Sequence, residues 1–143
     1  MNQMQTQIHA GSGGAALQTN LSTSVGALVE ACHGASTARG WWNDIETGES
    51  MISRPHIVGE KIALIHSEIS EALEAYRKDL PDDKLPHRPG IEVELADAVI
   101  RICDLAGVLK LDLGGAVQEK MHFNSVRSDH SPEARRAAGG KRF

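Results

Sequence analysis

Aromatic residues and cysteines are both scarce in this chain of 143 residues. The five aromatic side chains are Trp41, Trp42, Tyr76, Phe123 and Phe143. Most of the apolar content is Ala, Leu, Ile and Val, which favours packed helices over a sandwich of aromatic-rich strands. Two cysteines allow at most one disulfide, and both fall on apolar helical stripes. We therefore expect reduced core thiols in a cytoplasmic protein.

Long apolar runs are also missing. No purely apolar stretch exceeds five residues, far below the roughly 20 that cross a bilayer, so no membrane partner is expected. Residues 1–29 contain neither a charged residue nor an apolar run of the length that a secretory leader needs, so we expect no such leader. The net charge of −4 lacks the basic footprint of a nucleic-acid-binding protein, so no nucleic acid polymer is expected as a partner.

Charge is distributed unevenly along the chain. From Arg127 to Phe143 there are five basic and two acidic residues, so the preceding 126 residues carry a surplus of seven negative charges. This asymmetry indicates a site where anions and cations meet, or else a solvated basic tail.

Composition and hydrophobic spacing divide the chain into three parts. Residues 1–20 are polar and aperiodic and are expected to be a disordered leader, and residues 128–143 are expected to be a basic flexible tail. Residues 21–127 carry apolar residues at three- and four-residue steps. These steps predict four helices, at about residues 22–39, 53–80, 91–109 and 112–126. No segment alternates like a strand, so we predict an all-α fold, a four-helix bundle.

The second and third predicted helices each carry a stripe of apolar residues that we expect to form the core. The stripes comprise Ile57, Ile62, Ile65, Ile69, Leu73 and Tyr76 on one helix, and Ile91, Leu95, Ala98, Ile102, Leu105 and Leu109 on the other. Gly40 is the predicted left-handed stop of the first helix, and Asp112 is the predicted cap of the fourth. The pair Gly114 and Gly115 is expected to loosen the first turns of that helix.

Two pairs of acidic residues recur at helical spacing. Glu68 and Glu71 are three residues apart on one helix, and Glu94 and Asp97 repeat that spacing on the next. A loop at residues 81–90 with three of the five prolines separates the helices, so an antiparallel hairpin would bring the pairs together. Four close carboxylates repel one another unless cations neutralise them, and such hard oxygen ligands favour Mg²⁺, with Mn²⁺ as an alternative, and a phosphate substrate. The alternative is that all four are ordinary exposed helix residues.

Three segments of the chain resemble the MazG-like all-α nucleoside triphosphate pyrophosphohydrolases. They are Lys61 to Leu73, Glu94 to Ile100, and Glu119 to Arg127. The resemblance covers about residues 22–130, and its signature is Glu-x-x-Glu followed by Glu-x-x-Asp on the next helix. It implies four Mg²⁺ ligands: Glu68, Glu71, Glu94 and Asp97. It further implies cleavage of a nucleotide between the α- and β-phosphates, and a dimer or tetramer with sites near subunit contacts.

Three polar side chains form one stripe on the predicted fourth helix: Lys120, Asn124 and Arg127. Lys120 and Arg127 could stabilise the charge that develops on departing pyrophosphate, and the Asn124 amide could bind phosphate, sugar or base. The family pattern includes the Lys and the Asn. The alternative is an exposed basic helix end, which also suits the helix dipole.

The adjacent Trp41 and Trp42 are the second group of predicted substrate-binding residues. A flat indole can stack on a nucleobase, and neighbouring residues cannot both face one way, so we expect one to pack and one to line a pocket. Simple core or interface packing of both is the alternative. Asp104, seven residues past Asp97, is a candidate to extend the acidic face.

These features predict a Mg²⁺-dependent enzyme that hydrolyses an NTP or dNTP to the monophosphate and pyrophosphate. The predicted catalytic residues are Glu68, Glu71 and Lys120, and the choice between the two glutamates as acceptor of the water proton stays open. One alternative is a phosphoribosyl-ATP or dUTP pyrophosphatase of the same fold. Others are a non-catalytic metal-binding helical oligomer, and an adaptor whose acidic face binds a basic partner.

Overall fold

The computed structural model of the protein describes residues 12–141, with side chains from Leu21 onward, and residues 1–11, 142 and 143 lie outside it. Its helices are α1 (Ser12–Ala38), α2 (Ile57–Lys78), α3 (Gly90–Val108), α4 (Leu113–Val126), a 3₁₀ turn (Ser128–His130) and α5 (Pro132–Arg136). Between residues 12 and 141 no strand forms beyond two isolated bridges, so the predicted all-α class is confirmed. In the same range, no helix has the length and apolarity needed to cross a bilayer.

The chain divides into two compact units. The hairpin unit is Ala27–Leu111, and the terminal unit combines the segments up to Gly26 and from Asp112 onward, of which residues 12–26 and 112–141 are described. Each unit is described by itself below. The arrangement of the helices as a four-helix bundle stays a prediction.

Helix α1 begins ten residues before its predicted start at Ser22. Part of the predicted leader, residues 12–20, is therefore helical, which is consistent with the strong helix formers between Ala15 and Gln18. The remaining leader residues, 1–11, lie outside the described residues. At the other end, Gly40 adopts φ of 74°, the left-handed conformation predicted for the stop of this helix.

The connection between α1 and α2 is organised by one carboxylate. Asp44 accepts hydrogen bonds from the backbone N–H groups of Thr47 at 2.8 Å and Glu46 at 3.0 Å, and from the Arg54 guanidinium at 2.6 Å. These bonds to Thr47, Arg54 and Glu46 favour the charged form and hold the pKa of Asp44 well below its usual range. The turn thereby fixes the path of the chain just after Trp42.

Helices α2 and α3 form an antiparallel hairpin closed by the proline loop. Buried Asp82 accepts N–H groups from Lys84 and Leu85 within that loop. Where the loop enters α3, a Cβ at Gly90 would lie 2.9 Å from the Ala75 Cβ, so only glycine permits this close approach. The C-terminal end of α2 and the start of α3 can therefore lie close together.

The predicted contact surface of the hairpin is correct at Ile57 and Ala98, which are buried, but wrong for most of its larger residues. The buried residues of α2 and α3 are mainly small ones, with Ala72 and Ala98 at 4% and 2% exposure. Most of the large apolar residues on the predicted stripes are exposed: Ile62, Ile69, Leu73, Tyr76, Leu95, Ile102 and Leu109. Small side chains let the helix backbones approach closely, and apolar residues on more than one side of each helix left the choice of inner side ambiguous.

Helix α4 begins with the predicted cap. The Asp112 side chain accepts the backbone N–H of Gly115 at 2.9 Å. A Cβ at Gly114 would meet the Ser22 carbonyl oxygen at 2.4 Å, so this glycine accommodates the N-terminal part of α1 within the terminal unit. The helix is continuous through both glycines, and the expected loosening is not seen.

The segment predicted to be a flexible tail contains local structure. The 3₁₀ turn and α5 lie within residues 128–136, and the Ser131 side chain caps α5 by accepting the Ala134 N–H at 3.1 Å. Pro132 at the first helical position supports this start. The boundary predicted at residue 128 therefore marks a change of element, not the end of helical structure.

Candidate metal centre and adjoining cavity

Three of the four predicted acidic ligands converge within the hairpin unit. Glu68 comes from the middle of α2, and Glu94 and Asp97 come from the first half of α3. One carboxylate oxygen of each lies within 4.8 Å of the others, so a single cation could contact all three. Glu68 is buried, with 6% exposure, because the small residues of the helix contact bring its backbone close to α3.

One basic side chain partly neutralises this cluster. Arg101 Nε donates a hydrogen bond of 2.6 Å to Glu68 Oε1. A buried carboxylate without such a partner would be strongly disfavoured, so the ion pair supports the burial of Glu68. One guanidinium nevertheless faces three carboxylates, which leaves a local surplus of negative charge.

This surplus contributes to the raised pKa values of the two acids on α3, Glu94 and Asp97. The pKa of Glu94 is raised by its removal from solvent, and further by the charges of Glu71 and Glu68. The pKa of Asp97 is raised by its removal from solvent and by Glu68, although Arg101 acts in the opposite direction. Both acids would be more readily ionised beside an additional cation.

The fourth predicted ligand, Glu71, lies at the edge of this cluster. Its side chain is exposed, and its oxygens are not among those that meet within 4.8 Å. It is close enough that its charge is the second cause of the raised pKa of Glu94. Its predicted role as a ligand stays a prediction.

A cavity of about 500 Å³ adjoins the carboxylates, with Asp97 and Arg101 in its wall. Apolar residues of α1 and α3 form part of the lining, among them Ala35 and Ile100. Three basic side chains also line it: Arg39, Lys61 and Arg101. A lining that combines apolar and basic side chains suits a small anion that carries a flat or apolar group.

Asp104 also lines this cavity but is not among the three carboxylates that converge. Its Oδ1 lies 2.8 Å from His33 Nδ1 and accepts the Trp42 indole N–H at 2.9 Å, and its Oδ2 accepts the Ser36 hydroxyl at 2.8 Å. With three donors around it, this carboxylate joins α3 to α1 and to the segment that follows α1. It is therefore a structural anchor of the cavity wall.

The two tryptophans differ in burial, although both border the cavity that only one of them was expected to line. Trp42 is 5% exposed, whereas Trp41 is 64% exposed, and both border the cavity. Lys61 joins them: its Nζ lies 4.5 Å from the centre of the Trp42 ring and donates to the Trp41 carbonyl at 3.3 Å. The hydrogen bond from Lys61 thus holds the backbone at Trp41, while the indole of Trp41 stays exposed.

The three residues predicted on the fourth helix lie in the terminal unit. Lys120 Nζ lies 4.9 Å from the centre of the Phe123 ring, and Asn124 is half-buried. The guanidinium of Arg127 makes two hydrogen bonds to Asp129, of 2.9 and 2.6 Å. The roles of Lys120, Asn124 and Arg127 toward a substrate stay predictions.

Three residues of the site were missed by the sequence reasoning, and for two of them the spacing carries a signal. Arg101 lies four residues after Asp97 and seven after Glu94, which places it on the same face of α3. Lys61 lies seven residues before Glu68 on α2 by the same rule. Arg39 stands at the end of α1, where no periodic pattern marked it.

Comparison of the chain with protein-family models, curated protein sequences and solved structures finds no match. The carboxylate cluster and the adjoining cavity therefore carry the functional conclusion, together with the motif resemblance described above. Both features lie within the hairpin unit, so the conclusion depends on one compact part of the chain.

Proposed function

We propose that this protein is a Mg²⁺-dependent nucleotide pyrophosphohydrolase, which converts an NTP or dNTP to the monophosphate and pyrophosphate. The observation that carries the proposal is the convergence of three carboxylates from two helices beside a cavity that basic side chains help to line. Neither half would suffice alone, because exposed acids and shallow cavities are both common. Their contact through Asp97 and Arg101 gives one site that suits a cation and a phosphorylated ligand together.

The donor set suits Mg²⁺, or Mn²⁺ as a substitute. Glu68, Glu94 and Asp97 offer hard carboxylate oxygens at a mutual spacing that one cation can span, and Glu71 is the proposed fourth ligand. Burial first, and neighbouring acids second, raise the pKa values of Glu94 and Asp97, and a bound divalent cation would oppose both effects. When bound, Mg²⁺ would supply charge to the phosphate oxygens and make the attacking water more acidic.

The side chains of the cavity would bind and orient the nucleotide. Lys61 and Arg39 place positive charge in the wall, where they would attract phosphate oxygens. The exposed indole of Trp41 would stack against the base, while buried Trp42 keeps the wall rigid. Binding in one orientation supplies much of the rate in phosphoryl transfer.

The proposed reaction is an attack of water on the α-phosphorus. The oxygen of water bonds to the α-phosphorus, the bond from that phosphorus to the α–β bridging oxygen breaks, and pyrophosphate leaves. A glutamate accepts the water proton, and Glu71, exposed at the edge of the cluster, is better placed to do so than paired Glu68. Lys120 remains the proposed partner of the charge on the leaving pyrophosphate.

A panel of nucleotides tests this proposal. Purified protein is incubated with each NTP and dNTP, with dUTP and phosphoribosyl-ATP, and with Mg²⁺ or EDTA, and the products are identified. We expect Mg²⁺-dependent release of pyrophosphate, and in ¹⁸O-labelled water we expect the label in the monophosphate. Release of orthophosphate, or label in pyrophosphate, would contradict attack at the α-phosphorus.

The same panel separates the sister activities. A preference for dUTP or phosphoribosyl-ATP over the common nucleotides would identify the same-fold alternatives. In the Asp97→Asn variant, turnover should fall by more than about 100-fold, since even residues behind the ligands typically cost 10- to 100-fold. Turnover that persists in this variant would exclude the carboxylate cluster as the reaction site.

Self-association is the second part of the proposal, and one observation favours it. Large aliphatic side chains on α2 and α3 are exposed, and such surfaces often mark protein–protein contacts. We propose that a second copy of the chain covers Leu73 and Leu95, giving a dimer or tetramer. Light scattering on wild type and on Leu73→Asp should show the oligomer only in the wild type.

A non-catalytic metal-binding oligomer is the competing function, because the same exposed residues would serve it. Glu71→Ala separates the two possibilities. An assembly protein should lose its oligomers when a ligand to the assembling metal is removed, whereas an enzyme should lose turnover and keep its oligomers.

A further inference from the structure

Arg101 occupies a position between the carboxylate cluster and the cavity. Its Nε donates to Glu68, while its side chain keeps 42% exposure, against 8% for that of Glu68. The same side chain lines the cavity beside Asp97. The Nε of Arg101 is therefore committed to a buried acid, while the side chain as a whole stays partly exposed and borders the cavity.

The ion pair has the chemistry of a substitute for a metal ion. Glu68 Oε1 accepts a hydrogen bond from the guanidinium, and Glu68 is one of the three residues whose carboxylate oxygens meet within 4.8 Å. A cation that binds those oxygens would compete with Arg101 for Glu68. Because burying an unpaired carboxylate is costly, Glu68 needs one of the two partners at all times.

We propose that Arg101 is a phosphate-binding residue of the cavity, which holds Glu68 only until a divalent cation takes its place. This inference rests on the proposed function, because it assumes a metal at the carboxylates and a polyphosphate in the cavity. Once displaced from Glu68, the guanidinium offers its planar set of N–H donors to phosphate oxygens. Metal entry thereby prepares the anion site, and a cavity without metal binds polyphosphate weakly.

The exchange has a direction that can be measured. Removing the guanidinium should strengthen metal binding, because nothing then competes for Glu68. It should weaken anion binding, because the N–H donors of Arg101 are lost. A residue with a purely structural role would weaken both ligands together. The opposite signs of the two effects distinguish the proposed role from a simple loss of structure.

Calorimetry with Mn²⁺ alone, and then with pyrophosphate in saturating Mn²⁺, measures both effects. The variants are Arg101→Gln and Arg101→Lys, with Arg77→Gln at the exposed end of α2 as the control that removes the same charge. In Arg101→Gln we expect Mn²⁺ to bind as tightly as in the wild type or more tightly. Pyrophosphate affinity should fall by roughly 10- to 100-fold, the range for hydrogen bonds to charged groups.

Thermal unfolding completes the test. Arg101→Gln should lower the melting temperature without metal, and Mn²⁺ should restore it more than it raises that of Arg77→Gln. If Arg101→Gln does not fold, Arg101→Lys carries the comparison: it keeps the charge near Glu68 and should lose part of the pyrophosphate affinity, because it lacks the planar donors.

The inference and the proposed function fail in different ways. Wild-type protein that binds no Mn²⁺ overturns both. Wild-type protein that binds Mn²⁺ and pyrophosphate, with unchanged pyrophosphate affinity in Arg101→Gln and Arg101→Lys, overturns the inference alone. Parallel weakening of Mn²⁺ and pyrophosphate in the Arg101 variants also overturns it and assigns Arg101 a structural role.

Discussion

The carboxylate cluster of the hairpin unit and Asp129 of the terminal unit show acidic residues in opposite settings. In the terminal unit, Asp129 is surrounded by bases, with Arg127 in a double hydrogen bond and Lys141 at 3.5 Å. The hydrogen bonds from Arg127 hold the pKa of Asp129 well below its usual range. In the hairpin unit, burial and neighbouring acids raise the pKa of Glu94, and one guanidinium faces three carboxylates.

This difference gives a criterion that separates an acid satisfied by its own chain from an acid available to bind a cation. An acid whose own chain supplies matching bases is satisfied and needs no ligand. A group of acids held together by the fold but short of positive charge stores repulsion that a cation would relieve. By this criterion the hairpin carboxylates, and not Asp129, form the candidate site.

The largest effect is expected for the buried acid of the cluster. Glu68→Gln should weaken Mn²⁺ binding by more than about 100-fold, because it removes the one carboxylate that α2 contributes to the converging group. Glu74→Gln on the same helix is the control, since Glu74 is exposed and pairs only locally with Lys78. Calorimetry with Mn²⁺ measures both variants. Equal binding by the two variants would remove the distinction between the hairpin acids and ordinary surface acids.

A large effect of another kind is expected for the wall of the cavity. Trp42→Ala should destabilise the protein by about 3–5 kcal/mol, because it opens a void in a buried site and removes a donor to Asp104. Trp41→Ala should change stability little, since this indole is exposed, but should weaken nucleotide binding by about 1–3 kcal/mol. Urea unfolding and nucleotide titration measure the two quantities. An unchanged nucleotide affinity in Trp41→Ala would contradict the proposed stacking.

An intermediate effect concerns the pH dependence of stability without metal. Because the folded-state pKa values of Glu94 and Asp97 are raised, the folded state binds more protons than the unfolded state between the ordinary and raised values. The contribution of these two acids to stability should therefore be most favourable below their ordinary pKa values and should decline as pH rises through the raised values.

Glu94→Gln should raise the melting temperature of the metal-free protein near pH 7 by a few degrees and flatten this pH dependence. With Mg²⁺ the order should reverse, because the wild type gains a ligand that the variant cannot bind. Thermal melts with EDTA and with Mg²⁺ measure both states. A variant that is less stable than wild type in EDTA would show that the cluster is not under electrostatic repulsion.

The smallest effect is expected in the terminal unit. The lowered pKa of Asp129 contributes stability above the ordinary value near 3.8, and this contribution is lost as pH falls through the folded-state value. Asp129→Asn should lower the melting temperature only slightly at pH 7, because exposed ion pairs are weak. It should leave Mn²⁺ affinity unchanged. A clear change in Mn²⁺ binding would instead link the tail to the metal site.

The helices were largely predictable, but their inner faces were not. Apolar steps of three and four residues identified four helices, and the capping residue Asp112 and the stop at Gly40 were read correctly. Ala98 was placed correctly on the inner face, but Ala72 was missed, because apolar residues surround both helices and periodicity does not rank a methyl group above a larger side chain. Close backbone approach, which decides that ranking, is a property of the pair of helices.

The convergence of the acids followed from local spacing, whereas the cavity did not. Three-residue steps on two helices joined by a proline loop were enough to predict that Glu68, Glu94 and Asp97 would meet. The role of Asp104 depends on His33 and Ser36, which are about 70 residues away in sequence. Only the packing of α1 on α3 brings them together, and no local pattern encodes it.

The glycine at the closed end of the hairpin has a consequence for how this protein can vary. Gly90 sits where the Ala75 methyl and the Leu80 carbonyl leave no room, only one helical turn before Glu94. Any side chain introduced there would push α2 and α3 apart at their connected ends and increase the distance between the acids they carry. A position that contributes no carboxylate thereby sets the spacing of those that do.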